Sequence, residues 1–357
     1  MEEKKTNKIL QIDKIIPGKL DTPEIKYALK KAEDATKGDR VLKFAQMQAS
    51  KMNDGPTFDR KEPVPATKLF DNLYYFGNQE VGAFVFDTGD GLLMIDSGFP
   101  HMLDSIILPG MKEFGLDPAQ VKKMLITHCG PDHRGCAYYF QTHYGTKVYM
   151  SQEEFDRLPS DEENLRRYEN TQKPDFVYDQ FDAKQAPEPI ASLSEVVKDG
   201  DIIKQGNLEV ICVGTPRRTN GGGTSYLANV YDNGEKHIFA TYGNTNVVGS
   251  QIDMLLYRGS LDHYRDYVEK YEADVFISNH PFVDDSVRTM KLLRKRMAGE
   301  PNPFVFGHEK VLDLLKVLDL SSAVIRMRRA LGLNEAGCGP YVPGVMDLAN
   351  GSINTTK

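Results

Sequence analysis

Residues 123–135 read KMLITHCGPDHRG, and the rest of the chain is best read outward from them. Lys123-Met124-Leu125-Ile126-Thr127 is a short, mostly apolar run of the kind that forms a buried strand. It ends at His128. Gly130-Pro131 then turns the chain, and 132–143 are predicted to form a helix, with Pro131 just before it. TKVYM (146–150) follows as a second buried strand, which makes strand, helix, strand an α/β unit. His128, Asp132 and His133 therefore fall where a strand ends and a helix begins, a place where a rigid scaffold displays chemical groups. Imidazole and carboxylate together suit zinc, iron or manganese better than calcium.

On the N-terminal side, LYYFGNQEVGAFVFDTGDGLLMIDSG (73–98) is rich in aromatic and β-branched residues. Asp90-Gly91 marks a hairpin between two of its runs, and a helix is expected over 102–114. On the C-terminal side, residues 151–200 are polar and acidic and read as a surface insertion. Strand pattern returns at LEVICV (208–213). SYLANVY and HIFATY flank Asp232-Asn233-Gly234, a second hairpin signal, and DVFIS (274–278) ends beside Asn279-His280. Helices are expected over 287–297, 308–318 and 323–331. Two strand-rich halves with helices outside them suit an α/β fold, a four-layer α/β/β/α sandwich. Residues 1–65 read as an N-terminal helical extension or arm. Thr22-Pro23 starts a helix there, Ile25, Ala28, Leu29 and Ala32 give it an apolar face, and 53–67 is a proline-containing linker. Residues 66–320 form the main domain, and 321–357 a C-terminal helix and tail.

Composition narrows the function. With 40% hydrophobic and 27% charged residues the chain is globular, and no apolar run is long enough to span a membrane. The net charge of −7 comes with no long basic block, which argues against nucleic acid or an anionic membrane as a partner. The four cysteines (Cys129, Cys136, Cys212, Cys338) form no CxxC pair, so neither a disulfide framework nor a cysteine-rich zinc site is expected. The N-terminus lacks the apolar core of a signal peptide, so the default location is cytoplasmic. The expected partner is a small-molecule substrate, with a homo-oligomer left open. Asn220-Gly221-Gly222-Gly223 lacks the Lys-Ser/Thr of a phosphate loop, and no organic cofactor is implied.

Several ordered motifs together resemble the metallo-β-lactamase superfamily. Ile95-Asp96-Ser97-Gly98 is similar to its Asp-Ser/Thr-Gly turn. His128-Cys129-Gly130-Pro131-Asp132-His133 is similar to HxHxDH, GTPRRTNGGGTSYL (214–227) to a GTPGHTPGGTSYL-type segment, and Ser278-Asn279-His280-Pro281-Phe282 to the context of the last ligand histidine. Glu300-Pro301-Asn302-Pro303-Phe304 with Gly307 is similar to the tail of the branch whose metal ligands are only histidine and aspartate. The resemblance covers about residues 65–320.

What the resemblance implies is uneven between the family's two metal positions. The first would be built at His128, Gly130 and Arg218. Gly130 has no side chain and a guanidinium offers no lone pair, so that position is degenerate. The second would be built from Asp132, His133 and His280, all present, and three protein ligands leave a position open for chemistry. One divalent transition metal is therefore expected, zinc first, manganese or iron otherwise. The implied activity is a metal-dependent hydrolase acting on a small carbonyl-containing substrate, cyclic or anionic. Asp132 and His128 would move protons, and Arg218 would hold an oxyanion or a substrate carboxylate. His128 is a pocket base, a fourth ligand or an orienting group, and Asp96 a partner that orients ligands. Two competing readings use the same fold: a metal-free binding or regulatory protein, and a non-hydrolytic lyase or isomerase. Cys129, Cys136, Cys212 and Cys338 are read as packing or structural residues. His101, His143, His237, His263 and His308 are scattered and read as surface or packing residues.

Overall fold

In the computed structural model, residues 21–50, 62–158, 191–217, 219, 221–244 and 250–331 are described. Two helices come first, α1 (Pro23–Ala35) and α2 (Arg40–Ser50). The Thr22 hydroxyl caps α1 by accepting from the Ile25 N–H at 3.4 Å, with Pro23 opening the first turn. Strands β1 (Pro63–Phe70), β2 (Leu73–Asn78), β3 (Gly82–Asp87) and β4 (Leu92–Ile95) form an antiparallel meander. A π-turn (Leu103–Ile107) runs into α3 (Leu108–Glu113), and β5 (Val121–Leu125) adds parallel to β4. After α4 (Pro131–Arg134) and α5 (Ala137–Tyr144), β6 (Lys147–Met150) extends the sheet in parallel. Past α6 (Gln152–Phe155), β7 (Glu195–Val196) completes seven strands in sequence order.

The second sheet holds β8 (Ile202–Gln205), β9 (Leu208–Gly214), β10 (Thr224–Asp232), β11 (Glu235–Thr241) and, beyond α7 (Gln251–Lys270), β12 (Val275–Phe276). Its order is β12-β11-β10-β9-β8, antiparallel except for the β11–β12 pair. Asn233 and Gly234 both adopt positive φ, as the two-residue turn between β10 and β11 requires. Three helices follow: α8 (Pro281–Asp284), α9 (Ser286–Leu293) and α10 (His308–Ala330).

Side-chain alternation sorts the strands into layers. Phe84 and Phe86 of β3 point to the same core as Val210, Cys212, Tyr226, Ala228 and Phe239 of the second sheet. Phe239 meets Phe84 and Phe86 edge-on across the sheets, with centroids 5.1 and 5.7 Å apart. Their neighbours Ala83 and Val85 face Met102, Ile107, Met111 and Phe140 on the outer side. On the other sheet Ile211, Val213, Leu227 and Ala240 face Met254, Tyr257, Tyr264 and Val311. Helix, sheet, sheet, helix is thus written in the period of two.

Four expectations need correction. The helix expected over 132–143 is two, α4 and α5. At the break, the Gly135 N–H bonds to the Gly98 carbonyl at 2.9 Å rather than to its own helix, and a Cβ on Gly135 would lie 2.5 Å from that carbonyl oxygen. The helices expected over 308–318 and 323–331 are one, α10, because Ser321 and Ser322 sit buried within it and neither Gly nor Pro interrupts it. Position 320, taken as a domain boundary, therefore lies mid-helix. The linker expected over 53–67 becomes strand at Pro63. Two prolines are tolerated there because β1 is the edge of its sheet. Finally, the run 274–278 pairs as strand only at Val275–Phe276.

The helices α1 and α2 pack on α10. Arg328 of α10 donates to both carboxylate oxygens of Asp21 at 2.9 and 2.7 Å, and both side chains are buried. The core of the insertion, 159–190, lies outside the described residues, as do Arg218 and Cys338. Among the described residues no helix is long and apolar enough to cross a membrane.

Candidate metal centre

The centre forms where β4, β5 and β12 end. Just past β4, Asp96 adopts φ +57°, a left-handed conformation that aspartate tolerates better than most residues. Its buried carboxylate collects four donors. The Thr127 N–H reaches Oδ1 at 2.8 Å, and the Thr127 hydroxyl lies 3.0 and 2.9 Å from the two oxygens. His133 Nδ1 and Asn279 Nδ2 each reach Oδ2 at 2.8 Å. Asp96 is thus the orienting partner expected from the sequence, and it ties three loops together.

The short helix α4 presents Asp132 and His133. Pro131 occupies its first turn, where the missing N–H is harmless. The His133 carbonyl accepts the Ser97 N–H at 2.7 Å, which fixes the backbone beneath the imidazole. Since a carboxylate only accepts, His133 Nδ1 carries the proton given to Asp96, and Nε2 faces Asp132. That Nε2 is buried, makes no hydrogen bond, and lies 3.1 Å from Asp132 Oδ2. His280 caps α8 from the other sheet. Its Nδ1 donates to the Glu80 carbonyl at 2.8 Å, leaving the lone pair on Nε2, which lies 3.6 Å from the same Asp132 oxygen.

His128 joins this group. Its Nδ1 lies 3.2 Å from the Thr127 hydroxyl, whose single proton is engaged by Asp96, so Nδ1 donates and Nε2 keeps its lone pair. Ligand atoms of His128, Asp132 and His133 all lie within 4.8 Å of one another, and the His128 and His133 rings are 3.9 Å apart. All three imidazoles thus have Nδ1 tied down and Nε2 turned inward. Gly130 lies against them: a Cβ there would sit 2.6 Å from Asp132 Oδ1 and 3.0 Å from His128 Nε2.

The electrostatics follow from burial and partners. For His133, burial opposes the charge, but Asp132 and Asp96 outweigh it and raise the imidazole to about 10. For Asp132, burial opposes ionisation, and His133 and His280 outweigh it, holding the carboxyl far below its usual range. Burial, then the charge of His133, pushes His280 down to about 4. Burial, then His133 and Arg217, holds His128 well below its usual value. Without a metal, the charge of protonated His133 balances Asp132 and Asp96, and a bound cation would displace its Nε2 proton. Three neutral-capable imidazoles and a carboxylate, one nitrogen buried and unbonded, fit a transition metal.

Sequence reasoning missed several participants. Thr127 and Asn279 adjoin ligand residues but were read only as motif context. The contribution of Glu80 is a backbone carbonyl, which no residue type signals. Arg217 and, more weakly, Arg157 are described guanidinium groups whose charge reaches His128. Glu154 of α6 is buried. Its carboxylate accepts the Cys129 N–H at 2.9 Å and Arg157 Nη1 at 3.0 Å. Burial, then Glu154, pushes the Cys129 thiol up to about 11, so it is no nucleophile. The triple glycine is a close approach, since a Cβ on Gly222 would collide with the Ser151 hydroxyl. The scattered histidines have local partners: His237 with Asp274 at 2.6 Å, His263 with Asp199 at 3.0 Å.

Residues 79–239 match the family model of the metallo-beta-lactamase superfamily. That segment belongs to the metallo-beta-lactamase superfamily. Solved structures agree on the fold. A subclass B3 metallo-beta-lactamase of Bradyrhizobium japonicum, BJP-1, is 22% identical with a TM-score of 0.55, covering 77% of this chain and 97% of its own. Native FEZ-1 metallo-beta-lactamase from Legionella gormanii is 20% identical with a TM-score of 0.58, covering 78% and 99%. GOB-18 from Elizabethkingia meningoseptica is 18% identical with a TM-score of 0.57, covering 78% and 98%. At such identities these superfamily members speak for the fold, the four-layer α/β/β/α sandwich.

Proposed function

We propose that this chain is a metal-dependent hydrolase that holds one divalent transition metal, zinc, through Asp132, His133 and His280. The observation that carries this reading is His133 Nε2, a buried imidazole nitrogen with no hydrogen bond, aimed with His280 Nε2 at one Asp132 oxygen. The substrate class is a small carbonyl compound, cyclic or anionic. When bound, the metal supplies Lewis-acid polarisation of a carbonyl and a nucleophile at neutral pH. The protein's own groups do the rest. Asp96 holds His133 in the tautomer that leaves Nε2 free, and the Glu80 carbonyl does the same for His280. Asp132 Oδ1 and His128 Nε2 face the space beside Gly130, where they can take and return a proton. Arg217 brings positive charge toward His128, suited to a carboxylate or oxyanion, and the role given to Arg218 from the sequence, holding such a group, belongs to the same proposal.

Metal analysis tests the reading. Protein purified without added metal and mildly dialysed should carry about one transition metal per chain. His280→Ala should lose most of it, whereas His143→Ala, whose ring bonds the Tyr139 carbonyl on the far face of α5, should keep it. No metal after reconstitution with zinc or manganese favours the binding-protein reading. Two tightly held metals contradict the degenerate first position.

A further inference from the structure

The two halves of the candidate centre come from different sheets. Asp132 and His133 follow β5 of the first, and His280 follows β12 of the second. One side chain crosses between them beneath the ligands. Asn279 is wholly buried, and its Nδ2 donates to Asp96 Oδ2 at 2.8 Å, the oxygen that also takes the proton of His133 Nδ1. Asn279 Nδ2 and His133 Nδ1 lie 3.1 Å apart, side by side on that oxygen. The backbone of Asn279 is anchored as well, its carbonyl accepting the Gly82 N–H at 3.0 Å. His280 then bonds the Glu80 carbonyl on the same β2–β3 turn, and the Asn78 side chain shapes that turn by accepting from the Glu80 and Val81 N–H groups, each at 2.8 Å.

We infer that Asn279 is a positioning residue: through Asp96 it sets the separation of His133 and His280, and so the affinity and coordination geometry of the metal between them. This rests on the metal-site reading above. The amide's other half supports the assignment. Asn279 Oδ1 is buried without a hydrogen-bond partner. A residue chosen only to fill this space would be apolar, because an unmet acceptor is unfavourable. The amide is explained by its donor, which no apolar side chain supplies. Its orientation is fixed too, since the flipped amide would set Oδ1 against the Asp96 carboxylate. Asn279 is not one of the proposed ligands, and acts through Asp96 and through the chain that leads into His280.

The test uses the full chain and two probes, Zn2+ alone and Co2+ alone. Asn279→Ala removes the link, and Asn279→Asp keeps the shape but turns the donor into an acceptor facing Asp96. Zinc affinity is read by competition with a chromophoric chelator, coordination geometry by the visible absorption of the cobalt form, and apo-protein stability by urea unfolding. Both variants should bind zinc about 10–100-fold more weakly than wild type and give an altered cobalt spectrum. Should Asn279→Ala fail to fold, Asn279→Asp carries the test. Zinc affinity within twofold of wild type with an unchanged cobalt spectrum, even alongside lower stability, overturns the inference and leaves Asn279 a packing residue. If wild type itself takes no zinc, the metal-site reading fails first, and the inference with it.

Discussion

Gly130→Ala probes the centre without removing any ligand. Gly130 has φ −58° and ψ 138°, ordinary extended backbone before a proline, so alanine meets no backbone strain. The added methyl is the whole perturbation. Built on this backbone it lies 2.6 Å from Asp132 Oδ1, 3.0 Å from His128 Nε2 and 3.1 Å from His133 Cδ2. An ordinary carbon–oxygen contact needs about 3.4 Å, so the Asp132 carboxylate must retreat by roughly 0.8 Å. A carboxylate is rigid, and Oδ2, which faces His133 and His280, moves with Oδ1. Metal–ligand distances tolerate only about 0.2 Å. The expected result is zinc binding weakened about 10–100-fold, or about 1.4–2.8 kcal/mol. Apo stability should change by less than about 1 kcal/mol, because the small gain from restricting the unfolded chain opposes the small loss of a glycine cap. Chelator competition reads the first quantity and urea unfolding the second. Unchanged zinc affinity, or a loss of several kcal/mol in the apo protein, refutes the claim that Gly130 is kept open for the ligands.

Two further outcomes are expected. Arg218→Ala should leave fold and metal content intact and lower turnover of the true substrate about a hundredfold, with Arg218→Lys recovering only part, since an ammonium lacks the planar fork. Full activity in Arg218→Ala would remove that residue from the mechanism. Asp284, on the short helix that follows His280, supplies a pH signature. It is buried and accepts the Ser278 and Ser286 N–H groups, yet burial dominates and pushes its carboxyl up to about 7. A raised carboxylate stabilises the fold most when protonated. The contribution is therefore full below about pH 4 and is lost as pH rises through 7. The stability of wild type relative to Asp284→Asn should fall by on the order of 4 kcal/mol between pH 4 and 8. A flat difference across that range, measured by urea unfolding, is the contrary result.

The legibility of this fold in its sequence was uneven for physical reasons. The hairpins at Asp90-Gly91 and Asn233-Gly234 were plain because their turns demand residue types that few other sites need. The break inside 132–143 was hidden, because Gly135 departs from the helix for a carbonyl of Gly98 that only tertiary structure brings near. The continuity of α10 was hidden because a Ser-Ser pair reads as polar surface, while the fold buries it. At the centre, Asp132, His133 and His280 were named from motif order, while the ligand-type atoms within 4.8 Å of one another are those of His128, Asp132 and His133, with His280 Nε2 3.6 Å from Asp132. Nothing in the sequence indicated that the orienting group for His280 is the backbone of Glu80, or that Glu154 would be buried beneath Cys129. Backbone acceptors and long-range packing partners carry no residue-type signal.

The departures from HxHxDH also bear on whether the pocket is a decayed two-metal site or one suited to a single metal. Loss of a ligand side chain at 130 by simple decay would leave a void at that point. Instead, the space a Cβ would take is bounded at 2.6 to 3.1 Å by Asp132, His128 and His133. The surrounding groups keep ligand character, since each imidazole has its Nδ1 engaged and its Nε2 directed inward. Each Nδ1 is held by a separate partner: Thr127, Asp96 and the Glu80 carbonyl. The charge balance agrees. Arg217 and Arg157 add positive charge that acts on both His128 and Glu154. Reinstating a histidine at 130 would therefore first have to displace Asp132, one of the proposed ligands. The closed space at Gly130, the tied Nδ1 atoms and the nearby guanidinium groups are the observations on which the proposal of one cation and an anionic substrate rests.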